Sequence, residues 1–186
     1  MDATEPRSRV AALTIAFALA ILAFVQTAVV FEFERAATTL SPEGANAGFP
    51  LDDTWIHLVY ARSLGNEFSP DYNAGEPEAG QSSLAWGLLL APVHRIAQAF
   101  DVPIGHAVRS FAACVWIALA LLCAATLIKL RMPGAPFGGV AAAALIGLDP
   151  LLAFGAASGM EPLLAALFVV ACVHSLIDGR TIRAGF

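Results

Sequence analysis

The chain has 186 residues, of which 58% are hydrophobic and only 13% charged, with a mean hydropathy of +0.72 and a formal net charge of −5. Soluble domains carry about 25% charged residues, so a mostly wetted surface is excluded, and the acidic balance leaves no basic footprint for nucleic acid. Cys114, Cys123 and Cys172 all fall inside apolar runs, where thiols act as small buried hydrophobes and form neither a disulfide framework nor a metal-spaced cluster.

A helix that crosses a bilayer needs about 20 mostly apolar residues. The first candidate, Val10–Phe31, carries no charge and follows Arg7 and Arg9. A secretory signal is the rival reading, but the apolar core exceeds the roughly 7–15 residues of such signals and no A-x-A-like cleavage site follows. A retained anchor is expected. An acidic stretch then runs from about Phe33 to His106. Within it, Ile56, Val59, Tyr60, Ser63 and Leu64 recur at helical spacing and predict a helix over Asp53–Leu64, with Gly65-Asn66 as a stop. Trp55 and Tyr60 suit the headgroup level. Phe68–Gly80 is rich in Pro, Gly, Asn and acids and reads as a turn region, after which Ser82 or Ser83 can cap a helix over Leu84–Phe100. The second apolar run is Ser110–Ile128, stopped by Lys129 and Arg131. The third runs from Phe137 to about residue 157 and weakens at Asp149-Pro150. The fourth is Pro162–Ile177, closed by Asp178-Gly179-Arg180.

Leu84–Phe100 is interrupted by Pro92, His94, Arg95 and Gln98, and charge asymmetry decides its place. Short cytoplasmic segments collect Lys and Arg. With four spans, Arg7/Arg9, Lys129/Arg131 and Arg180/Arg183 all fall on one side. A fifth crossing through Leu84–Phe100 would move the last two pairs out, so this segment is read as an amphipathic helix lying in the interface. The expected fold is an all-α integral membrane protein. It has about four transmembrane helices, both termini inside, and a long outer loop holding two interfacial helices.

The loop acids have an ordinary explanation and a functional one. Asp52 or Asp53 can cap the loop helix, where the helix dipole favours a carboxylate. Capping needs only one side chain, however, and two adjacent acids beside an apolar surface are costly. Glu161, before Pro162, has the same dipole explanation, yet it falls on the same membrane face as the pair. Convergence of three carboxylates on one face is more informative than any one of them. Arg109 stands at the outer end of the second run, where a side chain either snorkels to the interface or holds a lipid phosphate. Arg62, His57 and His94 are weaker candidates of the same kind, and His106 and His174 read as interfacial or packing residues. No His, Cys and Asp arrangement has metal-ligand spacing.

The block Leu51-Asp52-Asp53-Thr54-Trp55-Ile56-His57 through Tyr60-Ala61-Arg62-Ser63-Leu64, then Tyr72-Asn73-Ala74-Gly75-Glu76 and Ser82–Trp86, resembles the first outer loop of GT-C glycosyltransferases. Those are multispanning enzymes that use polyprenyl-phosphate sugars, among them arabinofuranosyl- and mannosyltransferases. Asp149-Pro150 with Ser158-Gly159-Met160-Glu161-Pro162-Leu163 resembles their second outer loop. The resemblance covers roughly Val10 to Asp178. It implies transfer of a sugar from a lipid-linked donor to a hydroxyl acceptor, at the extracytoplasmic face of the cell membrane. It also implies catalytic roles for Asp52, Asp53 and Glu161, with Arg109 on the lipid phosphate and Arg62 and His57 as further substrate-binding residues. A carboxylate there either acts as base or holds a divalent cation, and the sequence leaves the two open.

The chain departs from the family where Gln81-Ser82-Ser83-Leu84 stands in place of a Thr-Ser-Pro-like triplet. Family members also run to several hundred residues. The resemblance therefore implies that these 186 residues are the N-terminal part of a larger enzyme, or act with a partner subunit. Two other classes stay open: a non-catalytic membrane scaffold or assembly subunit, and a transporter fragment. Transporters place ionisable residues near the bilayer midplane, and all four runs lack them at mid-depth.

Overall fold

The computed structural model describes residues 5–40, 48–73, 75–78, 80, 82–130 and 134–177, with side chains described from Ile15 on, apart from 37–40 and Pro77. The described chain is helical apart from one short hairpin. Its elements are α1 (Glu5–Leu40), α2 (Asp53–Glu67), β1 (Asp71–Asn73), β2 (Glu76–Pro77), α3 (Leu84–Ala99), α4 (Ile104–Lys129), α5 (Ala135–Gly147), α6 (Pro150–Ser158) and α7 (Pro162–Ile177).

Two helices are long and apolar enough to cross a membrane, Ile15–Ala36 within α1 and Ile104–Lys129, and a third crossing is available if α5 and α6 count as one span. α7 has the apolar composition but only 16 residues, about 24 Å of helix. The exterior suits lipid. Phe17, Phe24, Phe137, Leu145 and Phe168 are all exposed, which a water-facing surface would not tolerate over so wide an area. α4 is the centre of the bundle and touches α1, α3, α5, α6 and α7. Small buried residues on it, Ala112, Ala113, Ala120 and Ala124, let neighbouring backbones approach closely. Trp116 fills the middle and donates from Nε1 to the Ile146 carbonyl at 2.9 Å.

The helices expected in the loop are present as α2 and α3, and they pack on each other. α3 leaves Leu84, Leu88, Leu89 and Ile96 exposed, an apolar side consistent with an interfacial helix. The loop itself is shorter than expected. α1 continues past Phe31 to Leu40, so Glu34 belongs to a helix and not to the loop, and α4 begins at Ile104 ahead of His106.

The third apolar run is not one straight helix but two, bent by 54° at the break. Pro150 has no N–H for a continuing helix and disfavours helical geometry at Asp149. Asp149 then starts a new helix by accepting from the backbone N–H groups of Leu151 and Leu152, both at 2.9 Å. The cysteines also differ from expectation: Cys114 is exposed, and Cys123 and Cys172 are only partly buried. The side chains of Arg7 and Arg9, and residues Arg131, Asp178, Arg180 and Arg183, lie outside the described residues.

Candidate functional site

The short helix α6 ends in Gly159, which takes the left-handed conformation at φ 72°. That geometry suits glycine, and the site is tight as well: a Cβ there would meet Phe49 Cε1 at 2.8 Å and Val108 Cγ1 at 2.9 Å. The last carbonyls of a helix have no partners within it. Here three consecutive ones are each taken by a side chain from a different helix. Arg109 of α4 donates from Nε to the Ala157 carbonyl at 3.1 Å. Thr54 of α2 donates from its hydroxyl to the Ser158 carbonyl at 2.7 Å. Trp86 of α3 donates from Nε1 to the Gly159 carbonyl at 2.9 Å. The turn between α6 and α7 is thereby tied to all three helices, and Glu161 is carried on it.

Glu161 faces α2. His57, one turn after Thr54 on the same face of the helix, is buried, and its Nε2 lies 3.1 Å from Oε2 of Glu161. The pair is close enough for an ion pair but off the angle of a hydrogen bond. Both His57 nitrogens and Oε2 of Glu161 are shut off from solvent without a hydrogen-bond partner among the described residues. Such groups are costly unless something satisfies them, which marks this contact as unusual in the molecule.

Asp52 and Asp53 are exposed at the start of α2. Asp52 occupies the N-cap position in helical geometry, yet its side chain makes no capping hydrogen bond. Capping therefore does not account for it. Ser83, expected as a cap for α3, makes no side-chain cap bond either. Tyr60, expected at headgroup level, is buried and accepts at its hydroxyl from the Gly80 N–H at 3.1 Å, while Trp55 remains exposed.

Arg109 is buried rather than snorkelling. Nη1 donates to Oε1 of Glu34 at 2.7 Å, Nη2 donates to the Gly48 carbonyl at 2.8 Å, and the guanidinium lies 4.7 Å above the Phe49 ring. Nδ1 of His106 lies 2.7 Å from the same Glu34 oxygen. Each guanidinium nitrogen thus already serves an acceptor of the chain.

Arg62 points elsewhere: five residues after His57, it is about 140° around the helix from it. It lines a cleft of about 170 Å³ with Trp55, Leu58, Val59, His94 and Ile104. His94 there has its proton affinity lowered, first by burial and then by the Arg62 charge. Asp71 is also buried, but it is spent locally, accepting from the Ser69 hydroxyl and from the Gly75 N–H at 3.2 Å. Among the described residues, no group of three or more His, Cys, Asp or Glu side chains could hold a metal ion.

The structure thus brings Asp52, Asp53, His57, Glu161 and Arg109 to one end of the bundle around the α6–α7 turn, and leaves Arg62 outside it. Sequence reasoning missed Thr54, Trp86 and the partnership of Glu34 with Arg109. A signal for Glu34 exists: Leu22, Gln26, Val30 and Glu34 recur every fourth residue, and all are buried along one stripe of α1. No family profile, curated protein or solved structure matches the chain.

Proposed function

We propose that this chain is the N-terminal part of a GT-C-type membrane glycosyltransferase that moves a sugar from a polyprenyl-phosphate donor to a hydroxyl acceptor on the extracytoplasmic face. The chain crosses the membrane four times, through α1, α4, the bent α5–α6 pair and α7. Both termini are inside, and α2 and α3 lie in the outer interface. One observation carries the reading: the acid-bearing start of α2 and the Glu161 turn are held together by Thr54 on the Ser158 carbonyl and His57 against Glu161. A bundle that only needed helix ends satisfied has no use for a non-capping Asp52 and, at the same end, a buried imidazole without a hydrogen bond among the described residues.

The chemistry needs such a set. As the acceptor oxygen bonds to the anomeric carbon, the bond from that carbon to the phosphate oxygen breaks and its electron pair leaves with the phosphate. The acceptor's proton passes to a carboxylate, for which Asp52, Asp53 and Glu161 are the candidates. The lipid tail confines the donor to the bilayer, which suits a site at the end of an apolar bundle. The test is to incubate the protein in vesicles with short-chain polyprenyl-phosphate sugars and a panel of hydroxyl acceptors, alone and co-expressed with the reading frame downstream of Phe186. Release of polyprenyl phosphate matched by glycosylated acceptor is the expected result. No transfer in either arrangement, with any donor of the panel, refutes the reading.

A second reading is favoured by one observation. Arg109 is buried against Glu34 and donates to two backbone carbonyls, which is the work of a scaffold residue. A non-catalytic assembly subunit would keep that network and lose nothing on replacement of Glu161.

A further inference from the structure

The acids of the site are not equivalent. Asp52 and Asp53 are exposed to solvent. Glu161 is divided: Oε2 is closed off from solvent against His57, whereas its side chain as a whole remains 26% exposed. Among the described residues Oε1 has no hydrogen-bond partner, and it is not among the buried atoms, so the open edge of this carboxylate is Oε1. His57 is fixed behind it, on the face of α2 that Thr54 anchors to Ser158. Among the described residues, Glu161 is the one charged side chain in ion-pair range of His57.

We propose that His57 and Glu161 act as a proton-handling dyad, in which His57 carries its proton on Nε2, aims it at Oε2 of Glu161, and so fixes the carboxylate with Oε1 open to the acceptor hydroxyl. This rests on the glycosyl-transfer reading above and makes it specific: Glu161 is the group that takes the proton, and His57 is a positioning residue that never meets substrate. The acceptor O–H bond breaks, its proton goes to Oε1, the acceptor oxygen bonds to the anomeric carbon, and the electron pair of the breaking carbon–oxygen bond leaves with the phosphate. The off-angle contact fits a resting state, because catalytic hydrogen bonds are often poorly aligned before substrate binds and tighten when it does. An imidazole with Nε2–H directed at a carboxylate leaves Nδ1 as an acceptor, and Nδ1 has no hydrogen-bond partner among the described residues.

The test is nitrogen NMR of the full 186-residue chain, labelled at histidine and held in lipid nanodiscs, with the His57 signals assigned by loss in His57→Gln. The nitrogen shifts report which ring atom carries the proton. Wild type is expected to show a single tautomer protonated on Nε2, with that proton moved downfield by the carboxylate. Glu161→Gln is expected to lose the downfield signal, and Asp52→Asn with Asp53→Asn to keep it. A wild-type His57 imidazole protonated on Nδ1 overturns the dyad, and so does a downfield signal that survives in Glu161→Gln.

Transfer assays on the active assembly separate this from the wider reading. The dyad predicts that His57→Gln lowers kcat about 10- to 100-fold with the KM for donor unchanged, while Glu161→Gln lowers it by about 10²–10⁴. Transfer that proceeds normally in both variants overturns the dyad and leaves the glycosyltransferase standing. The reverse result, a confirmed Nε2–H···Oε2 contact with no transfer from any lipid-linked sugar, overturns the dyad's role together with the glycosyltransferase reading, and keeps only the contact.

Discussion

Arg109→Met is the most informative single change. In the folded protein this side chain is buried, bonds Glu34 at 2.7 Å, and supplies donors to the Ala157 and Gly48 carbonyls. Methionine keeps much of the stem and the packing on Phe49 but leaves the buried Glu34 carboxylate without the guanidinium that bonds it. Removing one member of a buried ion pair costs about 3–5 kcal/mol, because the remaining charge stays desolvated. Two carbonyls also lose a donor, each by itself a penalty of about 1–3 kcal/mol, though the two overlap with the first effect and do not simply add. A loss of about 4 kcal/mol is therefore expected. Glu34→Met should lose a similar amount by taking the carboxylate from the buried Arg109. The double change removes both charges, and a buried pair replaced by apolar groups is often neutral, so most of the loss should return. The measurement is reversible unfolding in mixed micelles, followed by the fluorescence of Trp86 and Trp116. Single changes that each lose less than about 1 kcal/mol, or a double change equal to the sum of the two, refute the reasoning.

Gly159→Ala should destabilise the protein by about 1–3 kcal/mol, since the left-handed backbone and the contacts with Phe49 and Val108 both oppose a Cβ; the same unfolding assay decides it. Asp52→Asn and Asp53→Asn should change stability by no more than about 1 kcal/mol, because no cap bond is lost from Asp52 and only the dipole term remains for the pair; a larger loss in the unfolding assay would restore the capping explanation. His94 binds a proton less readily when folded than when unfolded, so its contribution to stability is complete above its ordinary value near 6.5 and is lost as pH falls through that value toward the lowered folded one. His94→Gln should accordingly flatten the decline of unfolding free energy between about pH 7 and 5. Single cysteines at positions 45, 131 and 183 in an otherwise cysteine-free chain should label from outside only at 45; outside labelling of 131 or 183 would overturn the four-span topology.

What the sequence made legible is what local rules control. The α7 bounds and the start of α3 coincide with the ends of apolar periodicity, and α2 begins where Asp53 was expected to begin it. The break between α5 and α6 is visible as Asp149-Pro150, where the third run weakens, but not its 54° bend, because a composition window averages over a proline that geometry does not forgive. Side-chain partners across long sequence distances were not legible. Nothing local to Glu34 says that a residue 75 positions away will pair with it, although the four-residue stripe from Leu22 shows which way it faces. Tyr60 and Trp55 look alike as amphipathic aromatics, and only packing of α2 on α3 decides which of them is buried.

The three carbonyls at the end of α6 explain why short, scattered residues can define one site. A helix of nine residues has little propensity of its own, and its C-terminal carbonyls would be stranded at the edge of a lipid phase. Threonine, tryptophan and arginine from three other helices meet that need, each with a donor of different length and rigidity. The arrangement satisfies the helix end whether or not any chemistry follows. It does not require His57 or Glu161, which stand one step beyond it and are satisfied by nothing else among the described residues. Structural need therefore accounts for Thr54, Trp86 and Arg109, and stops there. The buried imidazole and the half-open carboxylate are the part of this end of the bundle that stability alone would have removed, and they are the part on which a function has to be tested.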